Sequence, residues 1–298
     1  MFKLPGSLNR ENLINELRIL SWKSADILLH YGKLLRDGNN KKSLIKSKNN
    51  NEPVTLADIE VNELIIKKIH DKFPDMQWQI LSEENIKNNS DDLKSDWLFI
   101  LDPLDGTKDF IQGTKNYAMH LALNYKNKPY LGIVLIPEMN ELWISNGRKV
   151  WCEKRDGFKT NATSIKNKDL SEMVIVTSKN HNNKSLENLI DKINFKKVII
   201  MGSIGCKISS ILRGDSDIYI CLSLPGRSSP KDWDFAAPEA ILRAGGGEIT
   251  SLDNEELVYG RSNYEHAGII VASKNKNRHK DICSEIKEII KKYKIYPL

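Results

Sequence analysis

Two acids stand three positions apart in the stretch WLFILDPLDGTKDF, Trp97 to Phe110. Asp102 closes an apolar run, and Asp105 follows after Pro103 and Leu104. Like charges this close are costly unless something positive sits between them. Pro103 restricts Asp102 to an extended conformation, so the pair cannot share a helix face. The spacing predicts a strand ending at Asp102, then a tight turn through Leu104 to Gly106. Such a turn aims both carboxylates and the Leu104 carbonyl at one point, and converging hard oxygens suit Mg²⁺. Thr107 then begins a short helix whose free N–H groups point toward a phosphate held by the metal. Taken alone, the stretch is equally well an Asp-rich turn, because Asp, Pro and Gly are common turn residues.

Other acids occupy comparable positions. WQILSEEN is a second apolar run ending in carboxylates, Glu83 and Glu84. DWDFAAPEAILRAGGG puts Asp234 just ahead of an apolar helix, and EPVTLADIEVNELI puts Asp58 at the start of another. Each has a bland explanation. Glu83 and Glu84 suit a solvated loop, Asp234 suits an N-cap, and Thr55 with Asp58 suits a capping-box-like pair. Acids at four element ends, in this order, are hard to attribute to chance.

The elements that must position them follow from periodicity. Leu13, Leu17, Leu20, Ile27, Tyr31 and Leu34 predict an amphipathic helix over 11–36, and Val61, Ile65 and Ile69 a second over 57–72. WQIL, WLFIL, YAMHLALNY, YLGIVLIP and ELWISN read as strands. The pattern resets near residue 155, which suggests an N-terminal region, 1–155, and a C-terminal region, 156–298. There follow strand EMVIVTS, helix 184–194, strand KVIIM, helix 205–213, strand DIYICL, a Gly/Ser/Pro-rich loop, helix 234–244, strand GIIVAS and helix 279–293. Strands and helices mix throughout, so the class is a layered α/β or α+β protein.

Composition bounds the partners. The chain has 298 residues and a net charge of +6, with 45 basic against 39 acidic side chains spread along the sequence. This suits an anionic ligand but not a nucleic-acid face, which clusters arginines and aromatics. No apolar run approaches the roughly 20 residues of a membrane span, and the N-terminus lacks a secretory pattern. The widely spaced Cys152, Cys206, Cys221 and Cys283 suit reduced thiols in a cytoplasm.

The run DPLDGTKDF, the upstream SEE and the downstream WDFAAPEAILRAGG together resemble the lithium-sensitive, magnesium-dependent phosphatase superfamily of the inositol monophosphatases, over about residues 10–275. The resemblance implies an αβαβα sandwich with two or three Mg²⁺ ions. By motif, Glu83, Asp102 and the Leu104 carbonyl would hold one ion, and Asp102, Asp105 and Asp234 a second. Asp58 and Thr107 resemble the pair that orients and deprotonates the attacking water. Within the superfamily, DPLDGTKDFI, SIGCKI and the APE ending resemble the CysQ-like 3'(2'),5'-bisphosphate nucleotidases. That branch removes the 3'-phosphate of adenosine 3',5'-bisphosphate or its sulfated relative, in sulfur metabolism. The alternative is an inositol or sugar-phosphate phosphatase of the same fold.

The same resemblance implies that Gly106, Thr107, Ser178, His181, Ser203, Lys207 and Arg227 meet a phosphorylated nucleotide, in a monomer or homodimer. Lys207, at a helix start, is the expected anchor for the second phosphate. Cys221 departs from the pattern, since some nucleotidases carry an Arg there. Arg227 or Lys231 would replace that contact.

Overall fold

The structure is a computed structural model and describes residues 4–5, 8–38, 41–47, 53–76, 78–88, 95–164, 166–179, 183–225 and 229–297. It begins with helix α1 (Arg10–Arg36), capped by Asn9, whose side chain accepts from the Glu11 and Asn12 amides. A short turn, α2 (Lys41–Leu44), and a ribbon of β1 (Ile45–Ser47) and β2 (Pro53–Thr55) lead into α3 (Leu56–Lys72).

Among the described residues, a seven-stranded sheet then runs in sequential order: β3 (Gln79–Ser82), β4 (Trp97–Asp105), β5 (Ala118–Tyr125), β6 (Lys128–Ile136), β7 (Glu141–Ser145), β8 (Val150–Glu153) and β9 (Lys159–Asn161). Only the β3–β4 pairing is parallel. The change of pattern read near residue 155 falls before this sheet ends. Helix α4 (Thr107–Ile111) sits between β4 and β5.

A mixed five-stranded sheet contains β10 (Val174–Ser178), β11 (Lys197–Met201), β12 (Ile218–Leu222), β13 (Glu248–Ser251) and β14 (Ile269–Ser273), ordered β11-β10-β12-β14-β13. The remaining helices are α5 (Lys184–Ile193), α6 (Ile204–Arg213), α7 (Asp232–Ala244) and α8 (Lys276–Tyr293).

Side-chain alternation assigns the layers. Phe99 and Leu101 of β4 pack with Leu13, Leu17, Val61 and Ile65 of α1 and α3. Leu98 and Ile100 face the other way, into a core shared with α6, α7 and the inner face of the second sheet, including Val176 and Tyr219. The outer face of that sheet, with Ile175, Ile218 and Val271, meets Leu189 of α5 and Ile286 of α8. The order is therefore αβαβα, as expected. Because β4 is covered on both faces, it reads as a continuous apolar run rather than an alternating one. Among the described residues no helix is long and apolar enough to cross a membrane, and all four cysteines are unpaired.

Two expected boundaries are corrected. The strand does not end at Asp102. Pairing continues from Asp102↔His120 to Asp105↔Ala118, across a register shift. Between those pairs β4 advances one residue more than β5, so a bulge forms around Pro103, which has no N–H to give the ladder. Asp234 is not ahead of its helix either. Helix α7 begins at Asp232, and Asp234 reaches back from its first turn to accept the Lys231 amide at 2.6 Å.

Candidate active site

The bulge in β4 puts Asp102 and Asp105 on the same side, toward α7. Carboxylate oxygens of Asp102, Asp105 and Asp234 lie within 4.8 Å of one another. The parallel register Ser82↔Leu101 carries Glu83, the next residue, alongside Asp102. Glu83 begins a 3-10 turn, Glu83–Asn88. Ser82 Oγ donates to Asn62 Oδ1 at 2.6 Å, and Asn62 Nδ2 donates to Asn85 Oδ1 at 3.2 Å, which ties that turn to α3.

Asp58 enters from the first turn of α3. Its Oδ2 accepts the Thr55 amide at 2.8 Å and the Thr55 hydroxyl at 2.6 Å, so the capping box is real. Its Oδ1 lies 3.4 Å from Thr107 Oγ1, which is also 3.1 Å from the Leu104 carbonyl oxygen. Asp58, Thr107, Leu104 and the three clustered acids are thereby connected.

In each acid the protein engages one named oxygen. Oδ1 of Asp102 accepts the Leu104 amide at 3.0 Å. Oδ2 of Asp234 accepts the Lys231 amide. Oδ2 of Asp105 accepts the Ser203 hydroxyl at 2.6 Å and the Gly205 amide at 3.2 Å. Among the described residues these bonds engage one oxygen of each carboxylate and restrict its rotation.

The electrostatics show which partner is needed. Burial, then the charges of Glu83, Asp105 and Asp234, hold the Asp102 carboxyl well above the usual range. Burial, then Asp105, does the same to Asp234. Asp58 is pushed up to about 7, chiefly by burial, against the hydrogen bonds from Thr55 and with the charge of Glu83. The chain offers little compensation. Burial drives Lys207 and His120 toward their neutral forms. Clustered carboxylates and a nearby carbonyl are the donor set of a hard divalent ion, and Mg²⁺ fits.

Gly106 opens α4 with φ of 92°, and a Cβ there would lie 2.9 Å from the Asn116 carbonyl oxygen. No other residue type suits that corner. Ser203 caps α6, its Oγ accepting the Cys206 amide at 3.2 Å while donating to Asp105. Ser178 ends β10 and is 9% exposed.

Lys207, in the first turn of α6, is buried. It is 1% exposed, its ammonium donates to the Gly202 carbonyl, and its Nζ stands 5.2 Å from the Tyr219 ring centroid. Nearly all of α6 is buried, so a charge at its start does not face solvent. His181 and Arg227 lie outside the described residues. His120, which touches Asp105 from β5, was not singled out in the sequence, where it is one polar residue in an apolar strand.

Residues 10–291 match the model of the inositol monophosphatase family. The chain is 28% identical over 217 residues to the 3'(2'),5'-bisphosphate nucleotidase CysQ of Escherichia coli strain K12, covering 72% of this chain and 82% of that one. It is 30% identical over 220 residues to CysQ of Buchnera aphidicola, covering 73% and 78%. In fold it is similar to CysQ from Bacteroides thetaiotaomicron, with a TM-score of 0.69 at 22% identity over 89% of this chain and 98% of that one. It is likewise similar to an IMPase from Thermotoga maritima, with a TM-score of 0.65 at 21% identity over 90% and 97%.

Proposed function

The chain belongs to the inositol monophosphatase family, and from that premise we propose that it is a Mg²⁺-dependent phosphatase that removes the 3'-phosphate of adenosine 3',5'-bisphosphate, giving AMP and phosphate. The observation that carries the phosphatase reading is the cluster of Asp102, Asp105 and Asp234, each oriented by a hydrogen bond from the protein to one of its oxygens. The nucleotide reading is supported by the relatives named as bisphosphate nucleotidases. The sulfated nucleotide is a substrate of the same chemistry.

Glu83, Asp102, the Leu104 carbonyl, Asp105 and Asp234 would hold two Mg²⁺ ions. When bound, the ions supply positive charge to the phosphoryl oxygens and lower the pKa of water. Asp58 Oδ1 and Thr107 Oγ1 orient the attacking water, and Asp58 accepts its proton. The capping bonds from Thr55 hold Asp58 Oδ2, so Oδ1 keeps one direction. Gly106 and Thr107 open α4, and the first amides of a helix have no partner within it. They are the proposed backbone contacts for the transferred phosphoryl group. Ser203 keeps Asp105 in place through its hydroxyl.

A second reading, an inositol or sugar-phosphate phosphatase, is favoured by one observation: the Lys207 ammonium turns inward to Gly202 rather than toward an opening. A panel of phosphate esters with Mg²⁺ tests both. Release of phosphate from adenosine 3',5'-bisphosphate at a kcat/KM well above that for inositol 1-phosphate supports the first reading. The reverse order supports the second. No Mg²⁺-dependent release from any ester would overturn both.

A further inference from the structure

We infer that Asn62 is a positioning residue for the metal site, holding the turn that bears Glu83 to the helix that bears Asp58. The inference rests on the metal-dependent reading above and adds a residue to it. Asn62 lies four residues after Asp58 in α3, so the two side chains leave the same face one turn apart. It is 6% exposed and uses both ends of its amide. Its Oδ1 accepts from Ser82 Oγ at 2.6 Å, and its Nδ2 donates to Asn85 Oδ1 at 3.2 Å. Ser82 directly precedes Glu83, and Asn85 follows it by two. One amide thus grips the chain on both sides of Glu83 and acts on that acid through its neighbours.

Glu83 needs such a hold because it stands among like charges. Its charge helps to raise the Asp58, Asp102 and Asp234 carboxyls, and the same repulsion pushes Glu83 outward before a cation arrives. The backbone resists this weakly. Pairing of β3 with β4 ends at Ser82↔Leu101, and Glu83–Asn88 is a 3-10 turn, whose hydrogen-bond geometry is poor. The Asn62 amide ties that turn to the 17-residue helix α3. The Ser82 hydroxyl is 0% exposed, so without Asn62 it would be a buried donor out of reach of water. Groups that orient a metal's ligands commonly change its affinity by about 10- to 100-fold when removed.

The test is calorimetric titration of Mg²⁺, and separately Mn²⁺, into the metal-free full chain without substrate, with melting in EDTA measured in parallel. Asn62→Leu keeps the bulk and removes both hydrogen bonds. It should weaken the metal Kd about 10-fold or more. Ser82→Ala removes one of the two bonds and should weaken it less. The double variant should match Asn62→Leu, because the Ser82 bond is already lost there. A lowered melting temperature with wild-type metal affinity in Asn62→Leu would make the amide a structural tie only and overturn the inference. Losses that multiply in the double variant overturn it too, since the two residues would then act separately. Should Asn62→Leu not fold, Ser82→Ala alone decides, and undiminished affinity there overturns the inference. If the wild-type protein binds neither ion, the metal-dependent reading falls and this inference with it.

Discussion

Replacing Asp102 by Asn should make the metal-free protein more stable while removing its response to Mg²⁺. The acids Asp102, Asp105 and Asp234 approach within 4.8 Å. At that spacing and an effective dielectric of about 20, each ionised pair repels by roughly 3.5 kcal/mol. Burial and the neighbouring acids hold the Asp102 carboxyl well above the usual range, which is a cost relative to the unfolded chain. Asn retains an oxygen to accept the Leu104 amide and carries no charge. The expected gain in EDTA at pH 8 is about 2–3 kcal/mol. At roughly 2 °C per kcal/mol for a chain of this size, melting should rise by about 4 °C or more. Mg²⁺ at about 100 times its Kd should add roughly 2.7 kcal/mol to the wild type. It should add almost nothing to the variant, whose phosphatase activity should fall to near background. The assay is thermal melting in EDTA and in Mg²⁺, read beside phosphate release. A variant that melts below wild type in EDTA, gains as much from Mg²⁺ and turns over normally would refute the assignment of these acids.

Asp58→Asn keeps an acceptor for the Thr55 cap but no base, so kcat should fall by about 10²-fold or more while binding of AMP changes little. Thr107→Ala should behave alike, and an Asp58→Asn protein that melts early with kcat intact would leave only the capping role. Lys207→Met should lower kcat/KM about 10- to 100-fold for adenosine 3',5'-bisphosphate and spare inositol 1-phosphate if its charge serves a second phosphate. Equal losses on both esters would make it a structural support of the Gly202 turn. His279 is buried between Ser273 Oγ and Thr250 Oγ1, each 2.8 Å away, and burial lowers its pKa to about 4. The unfolded chain binds this proton more readily, so the contribution of His279 to stability is complete above about pH 6.5 and is lost as pH falls toward 4. Urea midpoints between pH 7 and 5 should therefore drop less for His279→Gln than for wild type, and parallel drops would refute the assignment.

What could be read in advance follows the range of the forces involved. Helices α1 and α3 and strands β4 to β7 were legible because a covered face imposes periodicity. Strands β8 and β13 were not, because each spends a buried position on an acid. Glu153 is 0% exposed and pairs with Arg18 of α1, and Glu248 pairs with Arg243 and Lys276. An acid in a short apolar run reads as a loop until its distant cation is known. Lys207 shows the converse. A charge at a helix start reads as exposed, yet α6 lies between the two sheets and draws the ammonium inward to a carbonyl. His120 carried no local signal, since its contacts with Asp105 and Trp233 come from β4 and α7.

The acids show why bland and functional readings of one residue need not compete. A carboxylate has two oxygens. In Asp58 one completes a capping box, and the other faces Thr107. In Asp234 one accepts the Lys231 amide of its own helix turn, and the residue still joins the cluster. A cap held at 2.6–2.8 Å locks the side-chain rotamer. That lock is what a ligand or base needs if its other oxygen is to keep one direction. Local structure is thus part of the proposed chemistry: the turn that starts each helix also aims the acid. Asn at positions 58 and 234 preserves the cap, and at 102 the bond from the Leu104 amide, while removing the charge, whereas Ala would remove both and leave the cause of any loss ambiguous.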